Sequence, residues 1–116
     1  MANFFLTHRA IHDLLEIESW STEVFGVLRT RKYMKDLYKS FNKIAENPSI
    51  GHLRQRRSLP FLMAPTGQHF AIYQSVKGTI IIVTILHARR DIEAIIDRLA
   101  PVLAKEMTHL IHQWDQ

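Results

Sequence analysis

The chain contains no cysteine. Disulfides, thiolate metal sites and cysteine nucleophiles are thereby excluded, and the composition fits a reducing cytoplasm. It has no apolar run long enough to span a bilayer. The longest, Ile80 to Leu86, is interrupted by Thr84 and falls well short of the roughly 20 residues a spanning helix requires. The opening Met-Ala-Asn-Phe-Phe-Leu-Thr has neither a basic n-region nor a long apolar core, so it does not read as a signal peptide. Neither a Gly-rich phosphate loop nor a Ser/His/Asp signature is present. These absences point to a cytoplasmic protein with no membrane partner.

What is present suits a folded domain. The 116 residues match the usual size of one unit, so 1–116 reads as a single domain. The apolar fraction of 47% can fill one core, and 22% charged residues are ordinary for a folded chain. The net charge of +4 and pI near 9.7 favour acidic partners: nucleic acid, an anionic surface or an acidic protein.

Along the chain, Asn3 to Leu6 reads as a short strand and Thr7 as the N-cap of a helix. Ala10, Ile11, Leu14, Leu15, Ile17 and Trp20 give that helix an apolar face, and Gly26 breaks it. A second helix runs to about Glu46 on the stripe Met34, Leu37, Tyr38, Phe41, Ile44 and Ala45. Its other face carries Arg29, Arg31, Lys32, Lys35, Lys39 and Lys43, the pattern of a solvated surface. Pro48 and Gly51 end it, and the loop that follows holds Arg54-Gln55-Arg56-Arg57.

Three strands come next. Leu59 to Ala64 has Pro60 near its start, which suits an edge or the beginning of a strand. Pro65-Thr66-Gly67 turns the chain into Gln68 to Val76, where Phe70, Ile72 and Val76 share one face and Ala71, Tyr73 and Ser75 the other. Lys77-Gly78 is a two-residue hairpin turn. Thr79 to His87 is so nearly all apolar and β-branched that it reads as a central strand buried on both faces. Asp91 caps a helix carrying Ile92, Ile95, Ile96 and Leu99. Pro101 then predicts a kink or a fresh helix, making 100–116 a helical C-terminal extension with the stripe Val102, Leu103, Met107, Leu110, Ile111 and Trp114. The expected class is α+β in order β-α-α-β-β-β-α, with a helical hairpin packed as a second layer on a mainly antiparallel sheet.

Four segments carry a family resemblance: Thr7-His8-Arg9-Ala10-Ile11-His12-Asp13-Leu14-Leu15-Glu16-Ile17, Asn47-Pro48-Ser49-Ile50-Gly51, Gly67-Gln68-His69-Phe70-Ala71-Ile72-Tyr73 and Ile85-Leu86-His87-Ala88-Arg89-Arg90-Asp91. In this order the chain resembles the RelE/ParE superfamily of toxins from type II toxin–antitoxin systems, closer to the ParE branch. The resemblance implies a small growth-inhibiting toxin neutralised by a cognate antitoxin. ParE-like members poison DNA gyrase; RelE-like members cut mRNA on the ribosome.

The RelE-like reaction needs cations on the scissile phosphate and a group that moves protons. His87, Arg89 and Arg90 are the candidates for that work. There is no Tyr beyond Tyr73, and Lys77 is the only Lys on the hairpin, so the gyrase-binding, non-enzymatic reading leads. Ribosome-dependent mRNA cleavage and a non-catalytic adaptor module are the alternatives. Arg54, Arg56, Arg57, Arg89 and Arg90 are the candidate target-binding cations. Leu15, Trp20, Phe25, Leu28 and Tyr38 are the candidate antitoxin-binding residues, unless they belong to the core. No metal or cofactor is expected, because the pairs His8/His12 and His109/His112 lack a third ligand at suitable spacing.

Overall fold

The computed structural model describes residues 3–56 and 59–114. The chain runs β1 (Phe4–Leu6), α1 (His8–Phe25), α2 (Val27–Glu46), a 3-10 turn (Pro48–Ile50), β2 (His52–Arg56), β3 (Leu59–Thr66), β4 (His69–Val76), β5 (Thr79–His87) and α3 (Ile92–Trp114). The sheet has the order β1-β5-β4-β3-β2. β1 lies parallel to β5 and every other pairing is antiparallel.

β5 holds the molecule together. Ile80 through Leu86 are buried, as expected for an apolar strand with a neighbour on each side and a helix layer on each face. Ala71, Tyr73, Ile80, Ile82 and Ile85 face the α1–α2 hairpin and pack with Leu14, Leu37, Phe41 and Ile44. Ile72, Ile81, Val83 and Leu86 face α3 and pack with Ile96, Leu103 and Met107. The two-face division of β4 expected from alternation holds. At the tip of the β4–β5 hairpin Lys77 and Gly78 both have positive φ, +52° and +78°, the backbone of a type I′ turn.

α1 is seated by polar contacts that its sequence supplies. The Thr7 hydroxyl accepts from the Ala10 N–H at 3.1 Å and donates to the Val83 carbonyl at 2.7 Å. One residue thus caps the helix and ties it to β5. A turn further on, buried Asp13 accepts from the Thr84 hydroxyl and the Ile85 N–H and pairs with Arg9. α1 has no acidic residue in its first turn. Glu106 of α3 takes that place, accepting from the His8 N–H at 2.6 Å and favourably facing the positive end of the helix dipole.

The structure differs from the sequence reading in four places. Arg54, Gln55 and Arg56 are not in a loop: they lie in β2, a fifth strand pairing with β3. The basic His-Leu-Arg-Gln-Arg run carries no apolar alternation, so only its partner reveals it. The β3–β4 turn is Gly67-Gln68, because Pro65 and Thr66 still pair with Phe70 and His69. α3 is one continuous helix across Pro101, so no fresh helix begins there and 100–114 forms its second half. Finally, α3 covers the sheet face opposite the hairpin, giving three layers where two were expected. Of its stripe, Leu103, Met107, Leu110 and Ile111 pack on their own chain, while Val102 is exposed.

Candidate functional site

The C-terminal end of β5 meets the start of β4 where His87 pairs with His69. Two residues earlier, Gly67 turns the chain with φ +64°, and a Cβ there would sit 2.8 Å from the Tyr33 ring. That close approach lets Tyr33 of α2 reach over the turn. Its hydroxyl accepts from the Gln68 N–H at 2.9 Å and shares a hydrogen bond with His69 Nδ1, 2.6 Å away. His69 and His87 stand edge to face with centroids 5.1 Å apart. The Arg89 N–H donates to His87 Nδ1 at 3.1 Å. His87 therefore accepts at Nδ1.

Beyond β5 the backbone is held in place. The Arg90 N–H bonds the His87 carbonyl, the Ala88 N–H bonds the Gln68 carbonyl, and Asp91 caps α3 through the Ala94 N–H. Arg89 and Arg90 thus project exposed guanidinium groups from a fixed junction.

The junction faces α1 across a groove with two lobes. One, of about 520 Å³, is lined by Arg9, Asp13, Glu16, His69, His87 and Arg90 among others. The other, of about 410 Å³, is lined by Phe25, Arg29, Tyr33 and Gln68. Ile17, Trp20, His87 and Arg89 border both. Trp20 meets Phe25 edge to face at 5.7 Å, and the Arg29 guanidinium lies 4.8 Å over the Phe25 ring.

Electrostatics in the groove follow from burial. Burial, then the neighbouring His87, lowers His69 to a pKa of about 4. Burial raises Tyr33, against the Gln68 N–H that favours its anion. Burial also raises Asp13, opposed by Thr84, Ile85, Arg9 and His12. At neutral pH the site offers the neutral His69 imidazole and a protonated phenol beside arginines, a set able to hold an anion or pass a proton.

The His69 shift predicts an acid-sensitive stability. An unfolded chain binds this proton near pH 6.5, whereas the folded chain holds it off to about pH 4. Between those values the unfolded state binds more protons, so stability is present above pH 6.5 and is lost as pH falls toward 4. The ring is only half-buried, and screening leaves an effect of about 1–2 kcal/mol. Asp13 works in the opposite sense: its folded value lies above 3.8, so acid relieves a penalty there. Urea midpoints between pH 4 and 7.5 should fall more steeply for the native chain than for His69→Gln. Equal slopes would count against this assignment.

The sequence candidates separate in space. His87, Arg89 and Arg90 lie together on the groove. Arg54 and Arg56 are on β2, separated from β5 by both β4 and β3, and Arg54 lines none of the groove. Arg57 lies outside the described residues. All five proposed apolar contacts are exposed, from Tyr38 at 41% to Leu28 at 80%, so none is core. They divide: Trp20 and Phe25 border the groove, while Leu15 and Tyr38 line a separate hollow with Ile11 and Met34. Tyr33 and His69 were missed. β4 alternation already placed His69 on the Ala71–Tyr73 face, and Tyr33 lies one turn before Leu37, but nothing local joins two residues 36 apart. Among the described residues no three His, Asp or Glu side chains converge on a metal position.

Comparison with known proteins bears on this arrangement. Residues 4–92 match the family model described as ParE toxin of type II toxin–antitoxin system, parDE. The Toxin ParE1 of Mycobacterium tuberculosis is 27% identical over 93 residues, covering 79% of this chain and 95% of that protein. The Toxin ParE1 of Caulobacter vibrioides is 27% identical over 94 residues, covering 81% and 97%. Among solved structures, a chain of the chromosomal ParDE system from P. aeruginosa superposes with a TM-score of 0.64 at 17% identity, covering 75% of this chain and 96% of that one. A chain of the toxin–antitoxin complex RelBE2 from M. tuberculosis gives 0.56 at 16%, covering 74% and 96%. These structural likenesses speak to the fold.

Proposed function

The chain belongs to the ParE toxin family of type II toxin–antitoxin systems, and on that premise we propose that it arrests bacterial growth in the cytoplasm by binding and poisoning DNA gyrase, and that a cognate antitoxin neutralises it. The observation that carries the target-binding half is the pair Arg89 and Arg90, exposed on a backbone that the β5–α3 junction fixes. A preset cation pair spends little freedom on binding an acidic surface. Arg54 and Arg56 lie apart from this pair, on the far edge strand. The antitoxin half is supported by the ParDE and RelBE2 complexes among the structural neighbours and by the exposed apolar hairpin. Leu15, Trp20, Phe25, Leu28 and Tyr38 suit a partner's amphipathic helix, and the unpaired edge of β2 suits an added strand.

Induction in bacteria with assays of supercoiling, DNA-damage response and mRNA ends tests this. Gyrase inhibition with intact mRNA is expected; codon-phased mRNA cleavage with normal supercoiling would reject it for the ribosome-dependent nuclease reading, which the Tyr33–His69–His87 cluster supports. Replacing Arg89 and Arg90 together by alanine is expected to weaken target binding at least tenfold. A lost charge-assisted contact costs about 1.5–3 kcal/mol. Full toxicity in the double variant would remove this pair from the target interface.

A further inference from the structure

Tyr33 belongs to α2, yet its hydroxyl reaches the turn that leads into β4. Two short paths run from that hydroxyl to the β5–α3 junction. By the first, it accepts from the Gln68 N–H at 2.9 Å, and the Gln68 carbonyl accepts from the Ala88 N–H, also at 2.9 Å. By the second, it bonds His69 Nδ1, and the His69 ring stands edge to face with His87. His87 then takes the Arg89 N–H on Nδ1 and the Arg90 N–H on its carbonyl, at 3.1 Å and 3.0 Å. Both paths end on the backbone of Ala88, Arg89 and Arg90.

The turn is built to admit the phenol. A side chain at Gly67 would meet the Tyr33 ring at 2.8 Å and the hydroxyl oxygen at 2.9 Å. Only a residue without Cβ leaves that space, and the positive φ at Gly67 suits glycine as well. The neighbouring Thr66 hydroxyl is buried and has no hydrogen-bond partner among the described residues, so the Thr66 side chain does not hold the turn in place of Tyr33. Arg89 and Arg90 are exposed, so burial does not order them. Their backbone presents them, and a backbone that is already fixed loses less freedom when a partner binds.

We propose that Tyr33 is the positioning residue of the target-binding cations: through Gln68 and His69 it fixes the backbone from which Arg89 and Arg90 meet an acidic partner. This rests on the reading that these two arginines face the target, and it assigns their preset geometry to a side chain on another element.

The test compares the full-length native chain with Tyr33→Phe, which keeps the ring against Gly67 and removes only the hydroxyl. Amide hydrogen exchange followed by NMR reads the junction. In Tyr33→Phe the Ala88 and Arg90 amides should exchange about fivefold to tenfold faster, the worth of one neutral hydrogen bond. Ile82 and Val83 within β5 should be unchanged, as should all of these amides in Lys39→Ala, on the exposed face of α2. An unchanged junction overturns the proposal. So does an equal acceleration throughout β5, which would mean a general loss of stability. Binding to purified gyrase supplies the second readout. Tyr33→Phe should weaken it about fivefold to tenfold in the native background and add nothing to the Arg89→Ala/Arg90→Ala double variant, because a residue that acts through the pair has no effect once the pair is gone. Equal weakening in both backgrounds overturns the proposal. Absence of gyrase binding by the native chain rejects the gyrase reading alone; the exchange rates still decide whether Tyr33 sets the pair.

Discussion

A chain ending at Asp91 is expected to lose cooperative folding and to aggregate. α3 brings Ile95, Ile96, Ala100, Leu103 and Met107 onto the sheet, where they cover Phe61, Ile72, Ile81, Val83 and Leu86. Uncovering five large side chains at about 1.5–3 kcal/mol each forfeits about 7–15 kcal/mol, comparable with the whole stability of a small domain, about 5–15 kcal/mol. The exposed face would also be a contiguous apolar patch, which drives association. A single truncation grades the effect: Leu103→Ala should cost about 2–5 kcal/mol. Size-exclusion chromatography and urea unfolding read both. A monomeric truncated chain with a sharp transition would show that the sheet does not depend on α3. The result has a particular interest because the family match stops at residue 92, where this helix begins.

Replacing Asp13 by alanine is the second large effect expected. The Thr84 hydroxyl and the Ile85 N–H both donate to this one carboxylate from inside the interface between α1 and β5. Without it two buried donors are unmet, at about 1–3 kcal/mol each, so the loss should be about 2–6 kcal/mol. Arg9, half-exposed, adds little. Asp13→Asn keeps an acceptor of the same shape and removes a charge that burial disfavours, so it should cost about 1 kcal/mol or less. Chemical denaturation separates the two variants; equal costs would mean that the pin between helix and strand is not what seats α1.

How far these features were legible in the sequence depends on how local their causes are. Thr7, Gly26, Lys77-Gly78 and Asp91 are caps and turns that a few neighbouring residues determine, and the structure places all of them as read. The burial of β5 follows from its composition. β2 was illegible because a strand made of His, Leu, Arg, Gln and Arg is selected by its pairing with β3 and not by its own pattern. The fresh helix that Pro101 allowed is absent because the proline's cost falls on one backbone bond, whereas the apolar residues on both sides of it are held by packing on a sheet face. At the site, the basic junction was visible as a run of residues. Tyr33 and His69 were not, since α2 and the start of β4 come together only once the hairpin has closed over the sheet.

The parallel pairing of β1 with β5 has a consequence for the chain as it leaves the ribosome. Thr7 is made early, and its partner Val83 follows 76 positions later. At about 5–20 residues per second, the first strand waits about 4–15 s for the ladder it belongs to. In that interval Ala10, Leu14, Leu37 and Phe41 have no sheet to cover them, and β5 cannot order before it exists. Arg89 and Arg90 are translated directly after β5, whose last residue is His87, and α3, which closes the other face, follows them. Any partner recognised through this groove therefore meets nothing until β5 has been made, and a finished surface once α3 has followed it.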